Sequence, residues 1–163
     1  MQEASPIRPT DDEARALARR LLAEARHGAL GTLDPDTGAP VVTRVAVGTT
    51  PEGLPLTLVS ALSAHTRALR ASPLASLMVG EPGPKGDPLT HPRLTLHLGA
   101  RFVAREAPEH ARIRAHWLAS HPKSALYADF ADFAFVVFEP TGASLNGGFG
   151  KAYDLTPEDL AGP

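Results

Sequence analysis

Residues 58–69 read Leu-Val-Ser-Ala-Leu-Ser-Ala-His-Thr-Arg-Ala-Leu. An alternating apolar run ends at Ser60. Ser63, His65, Thr66 and Arg67 then fall around the first turn of a short helix spaced over residues 64–71. The first N–H groups of a helix lack intrahelical partners and carry a partial positive charge. Hydroxyls, an imidazole and a guanidinium at such a helix start suit a doubly charged phosphate. A second stretch bears on the same chemistry. Within residues 40–49, Val41, Thr43, Val45 and Val47 share one face of a strand, and Val42, Arg44 and Ala46 share the other. The alternation leaves Arg44 two destinations, solvent or a phosphate bound beside the strand.

Other chemistries are poorly served. The chain has no cysteine, which removes disulfides, thiolate catalysis, zinc ribbons and iron–sulfur clusters. Its seven histidines are scattered, none at HExxH or HxH spacing, so no metal-ligand set is expected. There is no Gly-x-Ser-x-Gly elbow, no Walker sequence and no Rossmann glycine fingerprint. Gly147-Gly148-Phe149-Gly150 reads as a turn or bulge, or as a place where backbone approaches a flat ligand or a second subunit. With no nucleophile or acid–base team, the chemistry falls to a cofactor. A strand arginine, a hydroxyl-rich helix start and apolar neighbours suit a flavin, its phosphate on the helix and its ring against a sheet wall.

These residues need elements to hold them. The 163 residues make one domain with material for a core, and 43% of them are apolar. Net charge is -2, giving no reason to expect a nucleic-acid or membrane-surface partner. No apolar run approaches the roughly 20 residues needed to cross a bilayer, and residues 1–10 do not resemble a signal peptide, so a cytoplasmic protein is expected. Asp11 or Asp12 caps a helix carrying Ala14, Leu17, Ala18, Leu21, Leu22 and Ala25, which His27-Gly28 ends. Strands are predicted over 29–33, 40–49, 54–60, 75–80, 93–103 and 134–139, with a last strand pair around Asn146-Gly147-Gly148. Residues 81–90 form a patternless loop, Ile113 and Trp117 mark a helix, and Pro140-Thr141-Gly142 reads as a turn. The expected class is mostly β with flanking helices, and antiparallel hairpins of this number close most easily into a barrel.

Four ordered segments resemble a known family. Ser60-Ala61-Leu62-Ser63-Ala64-His65-Thr66-Arg67-Ala68-Leu69-Arg70-Ala71-Ser72-Pro73 is similar to the phosphate-binding segment of the pyridoxamine 5'-phosphate oxidase-like FMN-binding split barrels. Within them it is closest to the subgroup that includes heme-utilisation proteins. Gly86-Asp87-Pro88-Leu89-Thr90-His91-Pro92-Arg93-Leu94-Thr95 matches that subgroup. So do His121-Pro122 with Tyr127-Ala128-Asp129-Phe130-Ala131-Asp132-Phe133, and Gly147-Gly148-Phe149-Gly150-Lys151-Ala152. The resemblance implies a six-stranded antiparallel Greek-key split β-barrel over residues 11–155, with a flexible lead at 1–10 and a tail at 156–163. It implies a homodimer with FMN at the interface. By position, Thr43, Arg44 and Val45 lie beside the ring and phosphate, Ser60 and Ala61 line the ring and ribityl chain, and His65, Thr66 and Arg67 hold the phosphate. Arg93 and Phe149 come from the partner subunit.

Heme-degrading members of the subgroup use a histidine near the C-terminus as iron ligand. This chain has none after His121, so such ligation is not expected, although His91 or His97 would be substitutes. The substrate-gripping motif of true pyridoxamine 5'-phosphate oxidases is also missing. The leading expectation is therefore an FMN-dependent oxidoreductase acting on an unidentified small molecule. The alternatives are a heme-binding or heme-degrading protein of the same barrel, or a non-catalytic flavin-binding module.

Overall fold

The computed structural model describes residues 5–162. Eight strands form one curled antiparallel sheet: β1 (His27–Leu33), β2 (Pro40–Ala46), β3 (Gly48–Thr49), β4 (Pro55–Ser60), β5 (Leu74–Val79), β6 (Arg93–Phe102), β7 (Phe133–Asn146) and β8 (Ala152–Leu155). Four helices accompany it: α1 (Asp12–Glu24), α2 (Ala64–Ala71), α3 (His110–Ser120) and α4 (Pro157–Leu160). The strand order is β2-β1-β5-β6-β7-β4-β3, with β8 added to β7. The two edge strands are consecutive in sequence. The chain leaves β2, passes through Val47 and enters β3, so the backbone itself carries the sheet from one edge to the other. At that junction the buried Thr57 hydroxyl of β4 donates to the Ala46 carbonyl of β2 at 2.6 Å.

Two apolar cores explain the strand sequences. Inside the barrel, Leu30, Val45, Leu77, Leu96, Val136, Phe138 and Leu145 meet the Ala14–Ala18–Leu22 stripe of α1. The two alanines let that helix approach closely. Asp11 starts it by accepting from the Ala14 N–H at 2.8 Å. On the other side of β4 and β7, Leu56, Leu58, Phe135 and Val137 pack under Ile113 and Trp117 of α3. These two strands are thus buried on both faces, and for that reason residues 54–60 read as a nearly continuous apolar run.

The strand count differs from the expected six. The predicted strand 40–49 divides at Val47, whose N–H bonds the Arg26 carbonyl at 2.9 Å instead of a ladder partner, and β8 adds a further strand. Helix α1 ends at Glu24, not at His27-Gly28. Gly28 is the second residue of β1, where a Cβ would lie 2.8 Å from the Met78 carbonyl of the neighbouring strand. Pro140-Thr141-Gly142 is no turn: β7 runs through it with a bulge, where the pairing shifts between His97↔Gly142 and Leu98↔Pro140. Within the described residues the lead and tail each bond to the barrel domain. The Arg8 N–H bonds the Ala152 carbonyl at 2.8 Å, and Asp159 of α4 accepts from Arg15 of α1 at 2.7 Å. Residues 1–4 of the lead and residue 163 of the tail lie outside the described residues.

Thr57 is fully buried, and the bond it makes spans the two strands where the barrel closes. Thr57→Val leaves that carbonyl without its donor and lowers stability by about 1–3 kcal/mol, measured as a shift in the urea midpoint at constant m-value.

Candidate cofactor-binding site

The closure stops at Thr57. Beyond it no backbone ladder joins β2 to β4, and a seam opens between them. Helix α2 begins at the end of this seam. Its N-cap residue Ser63 has extended backbone (φ -81, ψ 141) and makes no side-chain capping bond, while Thr66, Ala68 and Leu69 bury its inner face. The Ser72 N–H donates the closing bond to the Ala68 carbonyl, and Pro73 prevents another turn.

The seam gathers most of the residues singled out in the sequence. Thr43 Oγ1 lies 3.1 Å from His65 Nδ1, joining β2 to α2. Ser60 Oγ donates to Asp132 Oδ2 at 3.0 Å and accepts from the Leu62 N–H at 3.2 Å; the Ala61 N–H bonds the Asp132 carbonyl at 2.6 Å. The Thr66 hydroxyl is buried and donates to the Ser60 carbonyl at 2.6 Å. Arg67 pairs with Asp36 of the β1–β2 turn at 2.6 Å. Val45 faces the barrel core, and Arg44 stands exposed on the opposite row of β2, outside every ion pair of the described residues. Burial pushes the His65 imidazole below the ordinary histidine value.

Arg93 and Phe149 form a second group. Arg93 opens β6, separated from β2 by β5 and β1, and donates to the Leu89 carbonyl at 3.0 Å. Phe149 is 93% exposed on the turn between β7 and β8. The glycines around it are needed there: Gly148 and Gly150 have φ of 125 and 68, a region that side chains avoid. The loop at 81–90, patternless in sequence, is organised by His91. Its Nδ1 accepts from the Gly83 N–H at 3.0 Å, and its Nε2 meets the Lys85 carbonyl at 2.8 Å. Two acids of the seam went unassigned in the sequence. Asp132 lay within the quoted 127–133 segment, whereas Asp36 looked like turn chemistry alone.

The sequence model of the CREG beta-barrel family matches residues 9–161, and the chain belongs to that family. It shares 40% identity over 91 residues with the non-canonical heme oxygenase HOZ of Arabidopsis thaliana, a stretch that is 55% of this chain and 26% of that one. The solved heme binding protein of Mycobacterium smegmatis is 31% identical over 95% of this chain and 61% of its own, at a TM-score of 0.83. HutZ, the heme storage protein of Vibrio cholerae, superposes over 85% of this chain and 95% of its own at a TM-score of 0.71; at 22% identity that shows the fold. The chain thus spans about a quarter of the curated relative and under two thirds of the mycobacterial one. Among the described residues no helix is long and apolar enough to cross a membrane.

These relatives overturn the expected cofactor. HOZ and the mycobacterial protein, at 40% and 31% identity, are heme proteins by name and not flavoproteins, so the FMN assignment is corrected. Among the residues assigned to a phosphate, His65 bonds Thr43 through Nδ1 alone, the Thr66 hydroxyl bonds the Ser60 carbonyl, and Arg67 pairs with Asp36 at the surface. Asp132 accepts from Ser60 beside them.

The lowered His65 pKa sets a sign. The unfolded chain binds the proton more tightly than the folded one. Stability contributed by His65 is therefore full above the ordinary histidine range and falls as pH drops through it. Urea unfolding between about pH 5 and pH 8 shows this decline, and His65→Gln makes it shallower.

Proposed function

We propose that this protein binds heme at the seam between β2 and β4. The observation that carries the reading is the 31% identity with a heme binding protein across 95% of this chain. The donor set of the seam fits such a group. A heme would be held by a side-chain ligand to its iron, often a histidine, by cations at its propionates and by apolar contact with its ring. The seam offers His65 tied by one nitrogen to Thr43, Arg44 outside every ion pair of the described residues at its edge, and the exposed side chain of Leu62. Bound there, heme supplies iron-centred redox and oxygen chemistry.

The chain's own residues divide the work. Thr43, Val45, Ser60 and Ala61 shape the seam. Thr66 locks the first turn of α2 to the end of β4, and Arg67 joins that turn to Asp36. Arg44 provides a cation for a propionate. We read the protein as a homodimer in which Arg93 and Phe149 of one protomer reach the seam of the other. Apolar Val42, Leu74 and Met78 remain exposed on the outer sheet face, 69%, 62% and 43%, with no helix laid over them, which supports self-association. Oxidative heme degradation is the second reading and rests on the 40% identity with the heme oxygenase.

Hemin added to the purified chain produces a Soret band. At about 100-fold over the dissociation constant it stabilises the fold by roughly 2.7 kcal/mol, read as a raised melting temperature. A colourless complexless mixture with unchanged melting overturns the reading. Arg44→Ala weakens hemin binding by roughly 1.5–3 kcal/mol, the scale of a charge-assisted bond. Sedimentation equilibrium gives the mass of two chains; a single-chain mass throughout the micromolar range removes the dimer. Loss of the Soret band under reductant and oxygen, absent without either, separates degradation from binding alone.

A further inference from the structure

Resting on the heme reading, we infer that His65 would ligate the heme iron and that Thr43 is its positioning residue. The argument is one of ring nitrogens. An imidazole that ligates a metal holds its other nitrogen in a hydrogen bond, which fixes ring orientation and tautomer. His65 has this arrangement. Its Nδ1 is held by Thr43 Oγ1 at 3.1 Å, and its Nε2 has no partner and is not enclosed. The ring sits half-buried at the open end of the seam, where burial favours the neutral, ligating form.

The other histidines are disqualified one by one. Both nitrogens of His91 are consumed by Gly83 and Lys85. His121 stacks on Trp117 at 3.9 Å between ring centroids, bonds Ser120 through Nδ1, and has its Nε2 buried without access. His110 packs edge-on against Phe135. His27 lies 3.5 Å from Glu81, with both side chains well exposed. His97 is exposed on the outer face of β6, and no bond orients its ring. His116 is exposed on α3.

Thr43 is equally well placed for its part. It sits on the inward row of β2 across from Leu30, so the β1–β2 ladder holds its backbone. The hydroxyl therefore reaches His65 from a rigid strand, while α2 carries the ring. The ligand is thus positioned by two elements that meet only at the seam. Arg44, the next residue on β2, points to the other face of the strand and is exposed there, a cation that would be available to a propionate.

The test is hemin titration of the full chain and its variants, followed by absorbance and low-temperature electron paramagnetic resonance. The expected result is a histidine-ligated ferric spectrum in the parent. His65→Gly loses that signature and binds hemin at least roughly tenfold more weakly, and added imidazole restores the spectrum, which a misfolded variant would not allow. Thr43→Val keeps the histidine signature, weakens binding by roughly ten- to a hundredfold and shifts the iron–histidine stretching frequency in resonance Raman spectra of the ferrous form. His97→Ala changes none of these. Hemin binding by His65→Gly with the parent spectrum overturns the ligand assignment and leaves the heme reading standing. Loss of the signature in His97→Ala instead moves the ligand to the outer sheet face. Failure of the parent to bind hemin removes both the ligand assignment and the reading beneath it.

Discussion

Strand β7 is the constraint on which the barrel depends. It pairs with β4 through residues 133–137, with β6 through 136–146 and with β8 through 143–146. A strand with neighbours on both sides and cores on both faces has no free backbone to spare, because each buried N–H and carbonyl needs a partner. Fourteen residues cannot follow a curled sheet without bending. The bend falls at Pro140-Thr141, where the missing proline N–H costs no ladder bond and the Thr141 hydroxyl donates to the His97 carbonyl at 3.2 Å. Before the bend β7 already feeds both cores, Phe135 and Val137 on the α3 side and Val136 and Phe138 on the α1 side; after it Ala143 and Leu145 continue the α1 core.

Closure follows from connectivity. Because β2 and β3 are consecutive yet lie on opposite edges of the sheet, the barrel is closed by the chain crossing at Val47, and by the Thr57 hydroxyl beside it. Closure by one crossing point is local. Away from it the edges of β2 and β4 separate, and the unpaired ends gather polar groups: Thr43, Ser60, Asp132 and the start of α2, whose Ser63 makes no side-chain capping bond. A site at this place needs no extra domain, since a split in a hydrogen-bonded wall is where side chains from two strands and a helix can converge.

Much of the fold was legible in the amino-acid sequence. Alternation identified the faces of β2, and the Ala14–Ala18–Leu22 spacing identified the buried stripe of α1. Glycine and proline misled. Gly28 read as a helix terminator and is a close approach between strands; Pro140-Thr141-Gly142 read as a turn and is a bulge in a continuous strand. Both residues mark departures from regular backbone, and sequence does not say which departure. The site was half legible. The cluster at Ser60–Arg67 and its partner strand were identified, yet their use as a phosphate cradle was not sustained.

Local chemistry therefore determined which residues sit together along each strand and helix turn, because side-chain period and capping act over a few residues. The tertiary structure decided what each of them is free to do. Whether His65 offers a nitrogen depends on Thr43, 22 positions away, and whether Arg67 or Ser60 is available depends on Asp36 and Asp132, 31 and 72 positions away. Hydrogen-bond partners at such separations are set by the curl of the sheet, which no short stretch of sequence encodes.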